Sequence, residues 1–150
     1  SISSLFIHRD HEKEMLTSFT VAAPLMYGLS KTACHVTGCC SGIEYNGPFH
    51  IRYEAESINR FPVQITETIC FMIIFLIGLF VFFSSKKSMF ASKIVVILCI
   101  AGKVSLDFLR ASHYESKIPF SENQISACLC GAIALVLIWL TDKVFFKDTV

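Results

Sequence analysis

Two uncharged apolar runs dominate the chain: ICFMIIFLIGLFVFF over residues 69–83 and ISACLCGAIALVLIWL over residues 125–140. With their flanks each reaches roughly 20 residues, about 30 Å of helix, which matches the hydrocarbon thickness of a bilayer. A soluble domain of this size could bury one such helix, but hardly both. Apolar patterning predicts two further helices, giving 15–33, 63–83, 89–109 and 123–140. Pro24 marks a kink in the first. Pro62 opens the second, where its missing N–H costs nothing. The polar stretch SSKKS (residues 84–88) turns the chain between the second and third, and Trp139 sets an interfacial end to the fourth. The predicted fold class is therefore all-α: a polytopic membrane protein of about four transmembrane helices. Residues 1–150 are read as a single membrane domain with loops at 34–61 and 111–122.

Composition strengthens this picture. Of 150 residues 53% are hydrophobic and only 17% charged, against a usual charged share of about 25% in soluble domains. A net charge of +1, with no basic stripe interleaved with aromatics, argues against a nucleic-acid partner. The segment HRDHEKE (residues 8–14) carries mixed charge where a secretory signal would have its apolar stretch. Arg9, Lys13, Lys86, Lys87, Lys93, Lys143 and Lys147 fall at one end of the four-helix arrangement. Arg52, Arg60 and Lys117 lie in the loops of the other end. The excess of cations at the first end predicts that both termini are cytoplasmic and that the two loops face outward.

Several ionisable residues break the apolar pattern. In AGKVSLDFLR (residues 101–110) Lys103 and Asp107 are four apart and can share a helix face, which Arg110 continues. Such groups at membrane depth are costly and normally line a bundle interior or a wet cavity. Simple snorkelling of Lys103 and Arg110, neutralised by Asp107, is the plain alternative. Two cations with an orienting anion look more like a clamp for an anion, and in a bilayer the obvious anion is a lipid phosphate. In RFPVQITE (residues 60–67) Gln64 and Glu67 stand three apart, putting an amide and a carboxylate on one face. A helix-dipole role explains Glu67 alone but not the pair.

The loop TACHVTGCCSG (residues 32–42) holds three of the chain's seven cysteines. Cys34, Cys39 and Cys40 lack the paired C-x2-C spacing of zinc sites, and no C-x-x-C marks a redox dithiol, so no metal is expected here. A disulfide from Cys34 to Cys39 or Cys40 stays open on an oxidising face. Gly38 and Gly42 permit left-handed turns or close backbone approach to a ligand. Cys70, Cys99, Cys128 and Cys130 lie inside apolar segments, where cysteine packs as a small residue.

The segments LSKTACHVTGCCSG, RFPVQITE and KVSLDFLR, in that order on membrane helices, resemble the prolipoprotein diacylglyceryl transferase family. The resemblance covers roughly residues 15–140. It implies transfer of diacylglyceryl from phosphatidylglycerol, or another anionic phospholipid, to the thiol of a lipobox cysteine peptide, with release of glycerol phosphate. It implies no cofactor, and it places the site on the outward face of the bacterial cytoplasmic (inner) membrane. By position, Lys31 stands where the family signature has arginine, and Cys34 where it has asparagine or cysteine. Gly38 and Gly42 match its glycines, while His35 and Thr37 replace phenylalanine and asparagine. Pro62, Gln64 and Glu67 match, with Thr66 in the tyrosine position. Lys103 replaces arginine, Asp107 replaces glutamate, and Arg110 matches. The resemblance thus implies catalytic roles for Lys31, Cys34, Lys103, Asp107 and Arg110, and substrate binding by Gly38, Gly42, Gln64 and Glu67. The incoming thiol must lose a proton, and His35, His113 and Glu67 are candidate bases. The family's amino-terminal helices, with their histidine–glycine segment, have no counterpart here, which points to a compact relative, a fragment, or a partner chain supplying that part. Two other readings compete: a non-catalytic phospholipid-binding or assembly subunit, and a membrane thiol oxidoreductase using Cys39 and Cys40.

Overall fold

The computed structural model describes residues 12–40, 42–52, 57–85, 88–110 and 122–147. Four helices carry the architecture: α1 (Glu12–Val36), α2 (Val63–Ser84), α3 (Ser88–Asp107) and α4 (Glu122–Lys147). Between α1 and α2 the chain forms a small antiparallel pair, β1 (Ile51–Arg52) and β2 (Asn59–Arg60), with Ile51 opposite Arg60 and Arg52 opposite Asn59. Helix α1 packs along α2 and α3, and α4 packs on α3.

Among the described residues three segments are long and apolar enough to cross a membrane: Val63–Ser84, Met89–Asp107 and Glu122–Thr141. At 25 residues α1 has the length as well, but it carries more polar positions. Several of its hydroxyls are satisfied within the helix: Ser18 donates to the Glu14 carbonyl at 2.7 Å, Thr20 to Leu16 at 2.8 Å and Ser30 to Tyr27 at 2.7 Å. Such back-bonding removes the cost of a hydroxyl at apolar depth.

Helix α2 shows how sequence becomes position. It starts directly after Pro62 and closes at Ser85, whose N–H bonds the Val81 carbonyl at 2.9 Å. Gln64, Glu67, Phe71, Ile74 and Gly78, spaced three and four apart, form its buried stripe. Ile69, Ile73, Leu76, Phe80 and Phe83 form the opposite stripe and are exposed. Polar groups inside and large apolar groups outside invert the order of a water-soluble helix. They suit a lipid solvent, where the apolar face needs no cover and the polar groups must find partners within the bundle. The protein is a polytopic α-helical membrane protein.

The core is compact and lies where α1, α2 and α3 meet. Val21, Phe71, Ile74, Ala91, Val95 and Leu106 form it. Helix α3 ends at Asp107, two residues short of the predicted boundary. Turns then follow, with Leu109 N–H bonding the Leu106 carbonyl and Arg110 N–H the Asp107 carbonyl, each at 3.1 Å. Arg110 therefore does not continue the helical face of Lys103 and Asp107. It joins an extended bridge with Gly42 instead. Helix α4 runs seven residues past its predicted end at 140, and Lys143 lies over the Trp139 ring at 4.3 Å.

Candidate functional site

Helix α1 ends in a glycine-closed turn. The Gly38 N–H bonds the His35 carbonyl at 3.2 Å and the Cys39 N–H bonds the Cys34 carbonyl at 3.1 Å, with Gly38 at φ 70°. This paired closure requires the left-handed conformation that glycine adopts without penalty. The turn delivers the chain to Gln64, whose side-chain amide donates to the Cys39 carbonyl at 2.7 Å.

From Gly42 the chain is sewn between two other segments. Ile43 N–H bonds the Leu109 carbonyl at 3.1 Å, Phe61 N–H the Ile43 carbonyl at 3.0 Å, and Tyr45 N–H the Asn59 carbonyl at 3.0 Å. The Arg60 guanidinium donates to the Gly42 carbonyl at 3.2 Å. A Cβ at Gly42 would collide with the Phe61 carbonyl oxygen and sit 3.2 Å from that of Leu109. Gly42 is there because three backbones pass too closely for a side chain.

Under this roof three cations surround one carboxylate. Glu67, one turn into α2 beyond Gln64, is fully buried. Arg110 Nη2 donates to both its oxygens at 2.8 Å. Lys31 Nζ lies 3.7 Å from Oε2 and Lys103 Nζ 3.6 Å from Oε1. The side chains of Lys31, Lys103 and Arg110 are only 11%, 19% and 9% exposed. Three buried cations against two buried carboxylates, Glu67 and the nearby Asp107, leave a local surplus of one positive charge, which costs free energy unless a further anion joins. Arg110 uses a single nitrogen on Glu67, and among the described residues its buried Nε has no hydrogen-bond partner. The guanidinium thus keeps a donor in reserve, in the geometry that suits carboxylate or phosphate.

Tyr27 completes the group. Lys103 Nζ donates to its hydroxyl, and Lys31 and Lys103 lie 5.1 and 5.0 Å from its ring centre. The ring in turn leans on Phe71 at 4.4 Å. Cation–π contact with an aromatic face holds both lysines at little polar cost. Sequence reasoning did not single out Tyr27. Its position four residues before Lys31, on the same face of α1, was the available signal. Nor did it single out Gln124, buried in the first turn of α4.

The group sits at the polar end of an apolar cleft of about 350 Å³. Thr20, Ala23 and Pro24 of α1, Val96 and Ile100 of α3 and Gly131 of α4 line it, and Tyr27 and Lys103 are part of its wall. A cationic head on an apolar slot matches an anionic amphiphile in shape and in charge.

The remaining predicted residues fall as follows. Gln64, Glu67, Lys31, Lys103 and Arg110 come together, from three different helices and a bridge. Asp107, to which sequence reasoning gave the orienting role, is buried at the end of α3, while the carboxylate that all three cations share is Glu67. His35 is half-buried in the last turn of α1. Cys34 brings its sulfur to those of Cys39 and Cys40. His113 lies outside the described residues.

Compared with known proteins, the family model for prolipoprotein diacylglyceryl transferase matches residues 4–140. No curated protein and no solved structure matches the chain.

Proposed function

Since the chain belongs to the prolipoprotein diacylglyceryl transferase family, we propose that it acts on an anionic phospholipid of the phosphatidylglycerol type. Lys31, Lys103 and Arg110 would hold the phosphate, and the cleft between α1, α3 and α4 would hold acyl chain. The observation that carries this reading is the cation surplus around Glu67 at the head of an apolar slot. The acceptor is the thiol of a cysteine in a lipoprotein precursor, and the site faces outward from the bacterial cytoplasmic membrane.

In the proposed reaction the peptide sulfur attacks the glycerol carbon that bears the phosphate ester. The new bond is C–S, the broken one C–O, and glycerol phosphate leaves with the electron pair. Negative charge grows on the departing phosphate, and buried cations fixed in advance stabilise it more than water would. Glu67 fixes the cations: both its oxygens are already engaged by Arg110. His35, in the last turn of α1, is then a candidate to take the thiol proton. Gln64, which holds the Cys39 carbonyl, and Gly42, packed between the Phe61 and Leu109 backbones, would keep this part of the chain over the headgroup.

The test is incubation of the purified protein with phosphatidylglycerol and a lipobox peptide, read by mass spectrometry. A peptide mass increased by one diacylglyceryl group supports transfer. One observation favours a second reading, that of a lipid-binding subunit without catalysis. Lys31 and Lys103 occupy positions where the family has arginine, and lysine offers a point charge in place of a planar fork. Binding of phosphatidylglycerol vesicles with an unmodified peptide would select that reading.

A further inference from the structure

The three loop cysteines are not explained by the headgroup site. The Sγ atoms of Cys34, Cys39 and Cys40 all lie within 4.8 Å of one another, and among the described residues they form the one group of this kind. All three are free thiols. Cys34 is half-buried at the end of α1, whereas Cys39 and Cys40 are exposed. We propose that Cys34, Cys39 and Cys40 bind one zinc ion as a three-thiolate site, with the fourth coordination position open to solvent.

The geometry is close to what zinc needs. Tetrahedral coordination at Zn–S of about 2.3 Å puts sulfurs about 3.8 Å apart, so side-chain rotations of roughly 1 Å close the set. The spacing C-x4-C-C does not read as a zinc motif along the chain. The helix-ending turn makes it one in space, because the closure at Gly38 folds Cys39 back over Cys34. Cys40 sits at φ 57°, a left-handed conformation uncommon for a residue with a side chain. That backbone turn lets adjacent cysteines present their sulfurs to the same point.

The site is also built before any ion arrives. Two backbone hydrogen bonds close the turn and the Gln64 amide holds the Cys39 carbonyl. Little chain entropy is then lost on binding. The Thr37 hydroxyl donates to Cys39 Sγ at 3.4 Å. That bond fixes the position of the Cys39 sulfur in the turn. Three thiolates with one divalent ion carry a net single negative charge, and Lys31 stands one helical turn before Cys34 to offset it. A monovalent ion would leave twice that charge.

A disulfide is the rival use of these sulfurs. It is disfavoured between Cys39 and Cys40, because adjacent Cα atoms are about 3.8 Å apart and disulfides need at least about 4.4 Å. Between Cys34 and either partner it would consume two thiols and strand the third. The inference rests on sulfur geometry alone and does not depend on the transferase reading.

The experiment uses the full chain in detergent, reduced, stripped of metal, then titrated with zinc. Binding is read by competition with a chromophoric chelator and by protection of thiols from iodoacetamide, mapped by mass spectrometry. One equivalent bound, with protection confined to Cys34, Cys39 and Cys40, is the expected result. Replacement of zinc by cobalt should give a thiolate-to-metal charge-transfer band. Cys39→Ser and Cys40→Ser should each weaken binding at least tenfold with helix content unchanged, while the double variant Cys128→Ser/Cys130→Ser should bind as the parent does. Sub-stoichiometric binding, protection that maps to Cys128 and Cys130, or a Cys34 disulfide that forms equally with and without zinc would overturn the proposal.

Discussion

Arg110 places one guanidinium nitrogen 2.8 Å from both carboxylate oxygens of Glu67, a residue 43 positions earlier. The pair is buried, with Glu67 inaccessible and the Arg110 side chain 9% exposed. It ties the end of α3 to the start of α2, and it fixes the anion around which Lys31 and Lys103 gather. Four predictions follow from the contacts around this pair and the loop above it.

Glu67→Gln removes the shared anion and leaves three buried cations facing an amide. Removing one partner of a buried charge pair costs about 3–5 kcal/mol. The variant should melt well below the parent in detergent. Phosphatidylglycerol should raise its melting temperature by more than it raises the parent's, because lipid phosphate replaces the lost charge. Equal shifts for parent and variant would show that the cations do not meet the lipid phosphate.

Lys103→Met keeps the stem of the side chain in the cleft and removes only the charge. Arg110 and Lys31 still neutralise Glu67, so the melting temperature should change little. Transfer, or vesicle binding if the protein does not transfer, should fall on the order of 100-fold, the scale of one lost electrostatic donor. Lys103→Arg should restore most of it. Full function in the methionine variant would reduce Lys103 to a snorkelling residue.

Gly42→Ala puts a methyl group against the Phe61 and Leu109 carbonyl oxygens. Forcing one carbon into such a contact costs typically about 1–3 kcal/mol. The loop 42–45 should open, and limited proteolysis should cut there faster than in the parent. A Gly42→Ala protein with parental melting and cleavage rates would mean that these backbones can separate freely.

The Cys39 thiol is held below its ordinary pKa by the Thr37 hydroxyl first and the Cys34 sulfur second. Its thiolate is therefore populated at lower pH than in an unfolded peptide, and metal-free protein should alkylate at Cys39 at correspondingly lower pH. Thr37→Val removes the leading contribution and should move that profile upward. Quantitative mass spectrometry of iodoacetamide labelling across a pH series measures both. Identical profiles for parent and variant would refute the assignment of the shift to Thr37.

Where the sequence and the structure part company, the cause is distance along the chain. Lys103 and Asp107 are four apart, so their sharing of a helix face could be read from spacing. Glu67 meets Lys31 and Lys103, each 36 positions away along the chain, and no local pattern encodes that meeting. Sequence spacing pointed to Asp107 as the carboxylate beside these cations, and in space Glu67 is the carboxylate that all three of them reach. The cysteine spacing likewise gives no hint that three sulfurs lie close together, because the helix-ending turn that folds Cys39 over Cys34 is a matter of backbone φ and not of intervals.

By itself the sequence determined the solvent, the number of helices and the membership of the family. Long uncharged runs, Pro62 at a helix start, Gly38 after a helix end and three short motifs in order are all local properties. It also marked Gln64, Glu67, Lys103 and Arg110 as residues out of place in an apolar setting, and Lys31 through the family resemblance. Tertiary structure alone decided what those residues do to one another. It chose Glu67 as the common anion, brought Tyr27 between two lysines, turned Arg110 off the helix into a bridge with Gly42, and gathered three sulfurs. The physical reason is that burial of charge can be relieved only by a partner. Which partner is within reach depends on how α1, α2 and α3 pack, and not on how far apart the residues stand in the chain.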